Sequence, residues 1–543
     1  MSGNCKGLCR VSGTAVFTVL FFISAAALLA GGQTAVTTYH YDNNRSGWNQ
    51  KETALTPTNV ASSSFGLLQT VPLDDQVDAQ PLVVPGVLIT AGKFAGTHDV
   101  VYVATENNTV YAIDIHSRTV LLSANFGTPV VYPLSCTNNA PNVGITSTPV
   151  IDLSSKTLYV MSYTQDPDGP AYRLHALDLG NLTDKVSPQV VSASHTLTDG
   201  TTFTFNATYQ RQRPALLLAN GSIYAGFGSF CDFSADQSRG WLLGWTAGSL
   251  KPFPSNQLID QQVAMRGDPF YLSSIWMAGY GLTADDTGNI LFVTGNSDST
   301  SYDGVTNIQE SVVKVSPTLT TVLDLFTPKN QPALDQADTD FGSGGVLVLP
   351  DQPGSISHLA VAAGKAGSMF LMNEDDLGGY SPSRNHVLGS YGVGACWCGP
   401  SYFVDPSDGV ARVVSSGGRQ VKVWKVQTSP KVALLKLTVS PSVGGGQDPG
   451  FFTTISSNGN AHPIIWAIGR PPNFGKALVR LYAFDPDSGG TTMTQLFKAN
   501  AGAWPNLGGD ANLVPVVADG LVFVASNQQL QVFGLSGSQP EKK

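Results

Sequence analysis

Short apolar runs of four to eight residues alternate along this chain with polar turns marked by Gly, Pro, Asp and Ser, and one triplet of such runs recurs. Its first member opens at a Pro or Gly, as in AQPLVV and STPVID. The second is an apolar run, usually with a central aromatic, as in VVYVAT, and the third ends in a turn, as in TVYAID. The second member falls around Tyr102, Tyr159, Tyr224, Phe292, Ala360, Val413, Trp466 and Phe523, at intervals of 57, 65, 68, 68, 53, 53 and 57 residues. Short β-branched and aromatic runs bounded by turn residues at even spacing read as strands of a repeat. Most units continue into a fourth strand, such as TVLLSANFG at 119–127 or LTTVLDLFT at 319–327. The eighth unit ends near Leu535 without one, whereas FGLLQTVPL at 65–73 precedes the first unit with no unit of its own. Pairing the two removes an open edge. The pattern therefore predicts an all-β, eight-bladed β-propeller of four-stranded antiparallel blades, its ring closed by an N-terminal strand that completes the last blade.

Composition agrees. The 543 residues exceed what one ordinary core supports, and repetition resolves this because stacked blades share a continuous core. Only 13% of residues are charged, and 57 Gly and 33 Pro disfavour long helices. The net charge of −9 argues against a nucleic-acid surface. At the N-terminus Lys6 and Arg10 precede an apolar run from Ala15 to Ala30, followed by Gly31 and Gly32. That is the form of a secretory signal, with cleavage expected after Gly32, or of an uncleaved anchor. The expected organisation is a signal peptide over 1–32, an N-terminal extension over 33–64, the propeller over 65–537 and a polar tail over 538–543. The mature chain is expected to be extracytoplasmic and monomeric, without a membrane span.

In a propeller with strands A to D counted from the axis, the B–C and D–A connections share one face. The long connections, at 127–145, 229–240, 251–279, 295–310, 327–341, 389–400, 440–450 and 500–511, all map there, which makes that face the expected binding face. Cys136 and Cys231 reach it from neighbouring blades, and a disulfide between them is geometrically possible. Cys396 and Cys398 pair with each other or stay reduced. The D–A connections deliver Asp78, Gln80, Thr146, Arg211, Arg213, Trp276, Asp340, Ser343, Trp397, Asp448 and Asn512 toward the axis. Arginines facing aspartates beside aromatics suit a small polar or anionic ligand, with Arg213 the foremost anchor. The alternative for Arg213 is a structural ion pair with Asp340 or a role in satisfying axial carbonyls. Two acidic stretches, DQADTDFGSG (Asp335, Asp338, Asp340) and GNSDSTSYDG (Asn296, Asp298, Asp303), are oxygen-rich enough for Ca²⁺ but lack EF-hand spacing, and solvated loop acids are the other reading. His175 stands where other blades carry Tyr or Leu and reads as a core residue. No GxSxG, HExxH or CxxCH occurs.

The segments VVYVATENNTVYAIDIHSRTVLL and RLYAFDPDSG resemble the repeat of the pyrroloquinoline-quinone-type propellers, the superfamily of quinoprotein alcohol dehydrogenases and of an outer-membrane assembly scaffold. YHYDNNRSGWNQKETALTPTNV and GITSTPVID are similar to a bacterial subgroup of secreted members. The resemblance spans about 37–537 and implies eight blades. For a dehydrogenase it would further imply a vicinal Cys–Cys, a Glu–Asn–Asp calcium set and a catalytic Asp. This chain has CxC at 396–398 instead, and Glu106–Asn107 stands outside any matching motif. The expected function is thus non-catalytic binding of a polar small molecule or an envelope partner, with a quinone-dependent dehydrogenase using pyrroloquinoline quinone and Ca²⁺, or an envelope-assembly scaffold, as alternatives.

Overall fold

The computed structural model describes residue 1 and residues 33–138, 140–232, 237–263, 271–443, 449–469, 478–487, 489–505 and 512–537. The expected signal segment (apart from Met1), the polar tail and Asp448 lie outside the described residues. Eight four-stranded antiparallel blades form the propeller. Blade 1 consists of Leu82–Ile89, Gly96–Ala104, Thr109–Asp114 and Val120–Asn125 as strands A to D. Blades 2 to 7 span 150–190, 217–258, 283–327, 346–392, 401–439 and 453–503. Blade 8 takes its three inner strands from 516–535, and Phe65–Pro72 pairs antiparallel with Gln529–Leu535 as its fourth. Each of the eight repeat-marking residues, Tyr102 through Phe523, lies in a strand B. Those strands are buried on both faces, because neighbouring blades cover them, and so read as continuous apolar runs rather than alternating ones.

Two connections depart from the expected distribution. Between blades 2 and 3 the chain folds a small hairpin, Ser194–Thr196 with Thr202–Thr204, lengthening a D–A connection. In blade 5 the C–D connection 374–388 is long and lies on the opposite face, so the surplus length is not confined to one side. It is spent covering an edge: Gly379–Tyr380 pairs parallel with the outer strand Val322–Thr327 of blade 4.

The N-terminal extension occupies the axis. From Val36 to Asn49 it touches the innermost strand of every blade in turn. Val36 exchanges backbone hydrogen bonds with Val83 of blade 1, and the Ile151 N–H of blade 2 donates to the Thr37 carbonyl. Asn43 donates from Nδ2 to the Leu218 carbonyl of blade 3 and accepts at its own carbonyl from Ala284 N–H of blade 4. Val348, Tyr402 and Ile455 of blades 5, 6 and 7 donate to the carbonyls of Asn44, Ser46 and Gly47. The circuit ends at Val517 of blade 8, which is bonded by the Tyr41 hydroxyl and by Asn49 Nδ2. Eight inner strands meeting at an axis present a ring of backbone groups facing inward, which need partners once water is excluded. This polar segment supplies them.

Arg45 centres the plug. It is fully buried. Its Nε donates to the Leu282 carbonyl (2.8 Å), Nη1 to Thr38 Oγ1 (2.7 Å) and to the Tyr39 and Asp42 carbonyls (2.9 and 3.2 Å), and Nη2 to the Leu216 carbonyl (3.3 Å). It crosses the backbone at Gly281, where a Cβ would stand 2.6 Å from Nε, so no larger residue fits without moving the guanidinium. Arg45→Met should lower the unfolding free energy by about 3–5 kcal/mol, because five acceptors lose a buried donor together. The exposed Lys51→Met should stay within about 0.5 kcal/mol. Urea unfolding followed by circular dichroism reads both, and equal effects would show that the plug carries no special stability.

Candidate functional site

The D–A connection into blade 4 orders the axial region from the long-loop face inward. Tyr280 lies on the plug, its hydroxyl donating to the carbonyls of Arg45 (3.1 Å) and Pro400 (3.0 Å). Tyr39 and His40 stack with ring centroids 4.4 Å apart, and Tyr280 and Phe452 pack against both. Burial holds the His40 imidazole down to about 3, so it is a neutral ring in an aromatic floor. Polar groups from the D–A and B–C connections gather in two sets.

The first set joins blades 1 and 3. Arg213 is buried, donates from Nη1 to the Thr146 carbonyl (2.9 Å) and has Nε 4.0 Å from Asp78 Oδ2. Its Nη2 has no hydrogen-bond partner among the described residues, nor has Nε of the adjacent Arg211. The guanidinium lies against Gly279, whose φ is +87° and whose Cβ, if present, would stand 2.3 Å from Nη1. Gly279 and Gly281 are thus both bare because an arginine crosses each. Burial first, and then the like charge of Arg213, lower Arg211 to about 10. Glu106, on the B–C turn of blade 1, accepts from Gly144 N–H at Oε2 (3.0 Å) and is pushed well above the usual carboxyl range by burial and then by Asp78.

The second set joins blades 4, 5 and 6. Trp276 Nε1 donates to Asp340 Oδ2 (3.1 Å). Lys365, on the B–C turn of blade 5, holds its ammonium 3.5 Å from Asp340 Oδ1 and 3.1 Å from Asp338 Oδ1. The same ammonium lies 5.6 Å from the ring centroid of Trp276 and 5.3 Å from that of Trp397. Burial raises Asp340 to about 7 against the opposing pull of Lys365. Glu310, which accepts from Phe341 N–H, is raised well above its usual range by burial and then by Asp340. Asp232, raised chiefly by burial, lies within electrostatic reach of both Lys365 and Arg211, one from each set.

Of the residues singled out from the sequence, Asp78, Arg211 and Arg213 come together in the first set, and Trp276, Asp340 and Trp397 in the second. Arg213 pairs with Asp78 and not with Asp340. Gln80 is spent on the plug, accepting from His40 N–H and donating to the Thr38 carbonyl. Thr146 donates its hydroxyl to the Gln212 carbonyl, and Ser343 is enclosed, donating to the Cys396 carbonyl. Asn512 is buried. Glu106 was set aside for lack of a matching motif, and Glu310 and Lys365 were missed because only D–A connections were followed inward. B–C turns open on the same face, and a charged residue directly after an apolar strand B, as in VATE and VAAGK, is the signal that finds Glu106 and Lys365.

Cys136 is disulfide-bonded to Cys231, and Cys396 to Cys398. The two acidic stretches turn their oxygens onto protein donors. Asp298 and Asp303 cap their own turns, and Asp335 accepts from Ser297 N–H, Gln309 and Gln331. Among the described residues no three His, Cys, Asp or Glu side chains converge as metal ligands. His175 is buried between Ser162 Oγ (3.0 Å) and Asp184 (3.1 Å) with Phe126 packed on its ring. The order is that of a nucleophile relay, but Ser162 is fully buried, so the chain serves the interface of blades 1 and 2.

No family model and no curated protein matches the sequence. Among solved structures, a europium-containing methanol dehydrogenase aligns at a TM-score of 0.58 and 10% identity, over 92% of this chain and 98% of that one. BamB from Moraxella catarrhalis aligns at 0.45 and 12% identity, over 87% and 98%. At 10% identity the likeness to the methanol dehydrogenase is one of fold.

Asp340 gives the site a pH signature. Its carboxyl titrates at about 7 when folded, against an ordinary 3.8. Between those values the folded chain holds a proton that the unfolded chain releases. The contribution of Asp340 to stability therefore falls as pH rises from about 4 to about 7 and levels off above. Asp340→Asn should reduce this loss by about 4 kcal/mol in urea titrations across that range, and an unaltered slope would place the titration elsewhere.

Proposed function

We propose that this chain is an extracytoplasmic propeller that binds a small ligand carrying an anionic group in the axial funnel of its long-loop face, without catalysis. The observation that carries this reading is the pair Arg211 and Arg213. Two guanidiniums sit side by side, each with a buried N–H unused by the described residues. An unsatisfied buried donor costs about 1–3 kcal/mol and is more on a charged group. A carboxylate or phosphate would satisfy both. The plug blocks the axis beneath, which leaves the long-loop face as the approach. Two disulfides suit an oxidising compartment, and among the described residues no helix is long and apolar enough to cross a membrane.

Membership in the quinoprotein repeat family remains part of this proposal, supported by eight blades and the methanol dehydrogenase likeness in fold. The metal-assisted chemistry implied by that resemblance does not fit the residues in place. Asp340, the acid nearest the indoles, already faces the Lys365 ammonium and accepts from Trp276, and no ligand triad converges among the described residues.

A thermal-shift series with acetate, phosphate, sugars and pyrroloquinoline quinone tests the binding reading. A bound anion at 100 times its Kd adds about 2.7 kcal/mol. Arg211→Gln should abolish the shift while leaving the unliganded melting temperature within a few degrees. An undiminished shift in that variant would remove the arginine pair from the site.

A further inference from the structure

The second set of residues already holds a cation. Two indole rings lie within 6 Å of the Lys365 ammonium, a geometry in which ring faces attract positive charge. Asp340 is 3% exposed, and its Oδ1 has no hydrogen bond, standing 3.5 Å from Nζ at ion-pair distance only. The box therefore accepts an alkylammonium and holds it against the buried carboxyl by charge at 3.5 Å rather than by a hydrogen bond, an interaction that does not depend on an N–H. Lys365 reaches it on a flexible four-carbon stem from a short turn between the strands Leu359–Ala363 and Ser368–Asn373. Its ammonium could leave with Asp338, whose side chain is 65% exposed, as its solvent-side partner. The two incompletely satisfied guanidiniums belong to the other set, and Asp232 lies within electrostatic reach of both Lys365 and Arg211.

We infer that the ligand is a zwitterion, its ammonium displacing that of Lys365 between Trp276 and Trp397 against Asp340. This rests on the proposed reading of Arg211 and Arg213, which would take the anionic end. A purely anionic ligand gains little at Lys365, because Asp338 and Asp340 already face its ammonium. A dipolar ligand matches the sign of both ends, and fixed charges of opposite sign at two ends also set its orientation.

Tetramethylammonium chloride, sodium acetate and glycine betaine serve as probes with the full chain, followed by tryptophan fluorescence and calorimetry. Wild type should bind glycine betaine at least 10-fold more tightly than either half-probe. Lys365→Ala should bind tetramethylammonium at least 10-fold more tightly than wild type, and adding Trp397→Ala should cancel that gain. Lys365→Met, which keeps the apolar stem, should give a smaller gain and controls for misfolding, with circular dichroism melts reporting the fold. If neither Lys365 variant gains affinity while Arg211→Gln weakens acetate, the arginine reading stands and the zwitterion is overturned. If the tetramethylammonium gain appears but Arg211→Gln leaves acetate affinity unchanged, the arginine reading falls and the zwitterion with it.

Discussion

The structure depends on satisfying the backbone at its axis. Eight blades converge on a line where inner strands have no further strand to pair with, and each leaves amides and carbonyls facing inward. Residues 36–49 answer this with one short polar segment that bonds to all eight inner strands. Arg45 is suited to the centre because a guanidinium offers five donors in a fixed plane and can serve several carbonyls from one point. Strand Phe65–Pro72 closes the ring at its outer edge. The extension closes it at the axis, so both ends of the closure problem are solved by chain that precedes the first blade.

That solution also shapes the site. A channel filled by Tyr39, His40, Arg45 and Tyr280 has a floor, and polar groups above it are approached from one face. Tyr280 belongs to both regions. Its hydroxyl holds the plug, while the glycines on either side of it carry the two arginines, Arg213 toward the funnel and Arg45 toward the plug. Position and rigidity of the arginine pair therefore derive from the same contacts that stabilise the ring.

The propeller was legible because each blade repeats one burial pattern, and a strand covered on both faces leaves an apolar run around Tyr102 or Trp466 that no solvent-facing residue interrupts. The plug was not legible. TTYHYDNNRSGWN has no period of 2 or 3.6 and reads only as an extension before the first blade, yet Tyr39, His40 and Arg45 are buried, since its fold is set largely by partners far away in sequence, such as Leu216 and Leu282 on Arg45. The site was half legible. Counting strands inward assigned Arg213, Trp276 and Asp340 to the axial face, but which charges meet depends on ring geometry. Arg213 faces Asp78 across the gap from blade 3 to blade 1, a pairing no spacing along the chain expresses.

Burying so many titratable groups near one another costs stability, and a propeller can bear that cost where a smaller fold could not. Glu106, Glu310 and Asp340 are all raised by burial before any neighbour acts on them. Each would be more comfortable in water or replaced by an apolar residue. Their concentration on the funnel side, while most of the packing between blades is apolar, separates the two tasks of the chain. The packing between blades closes the ring, and the buried acids of the funnel draw on the stability it provides.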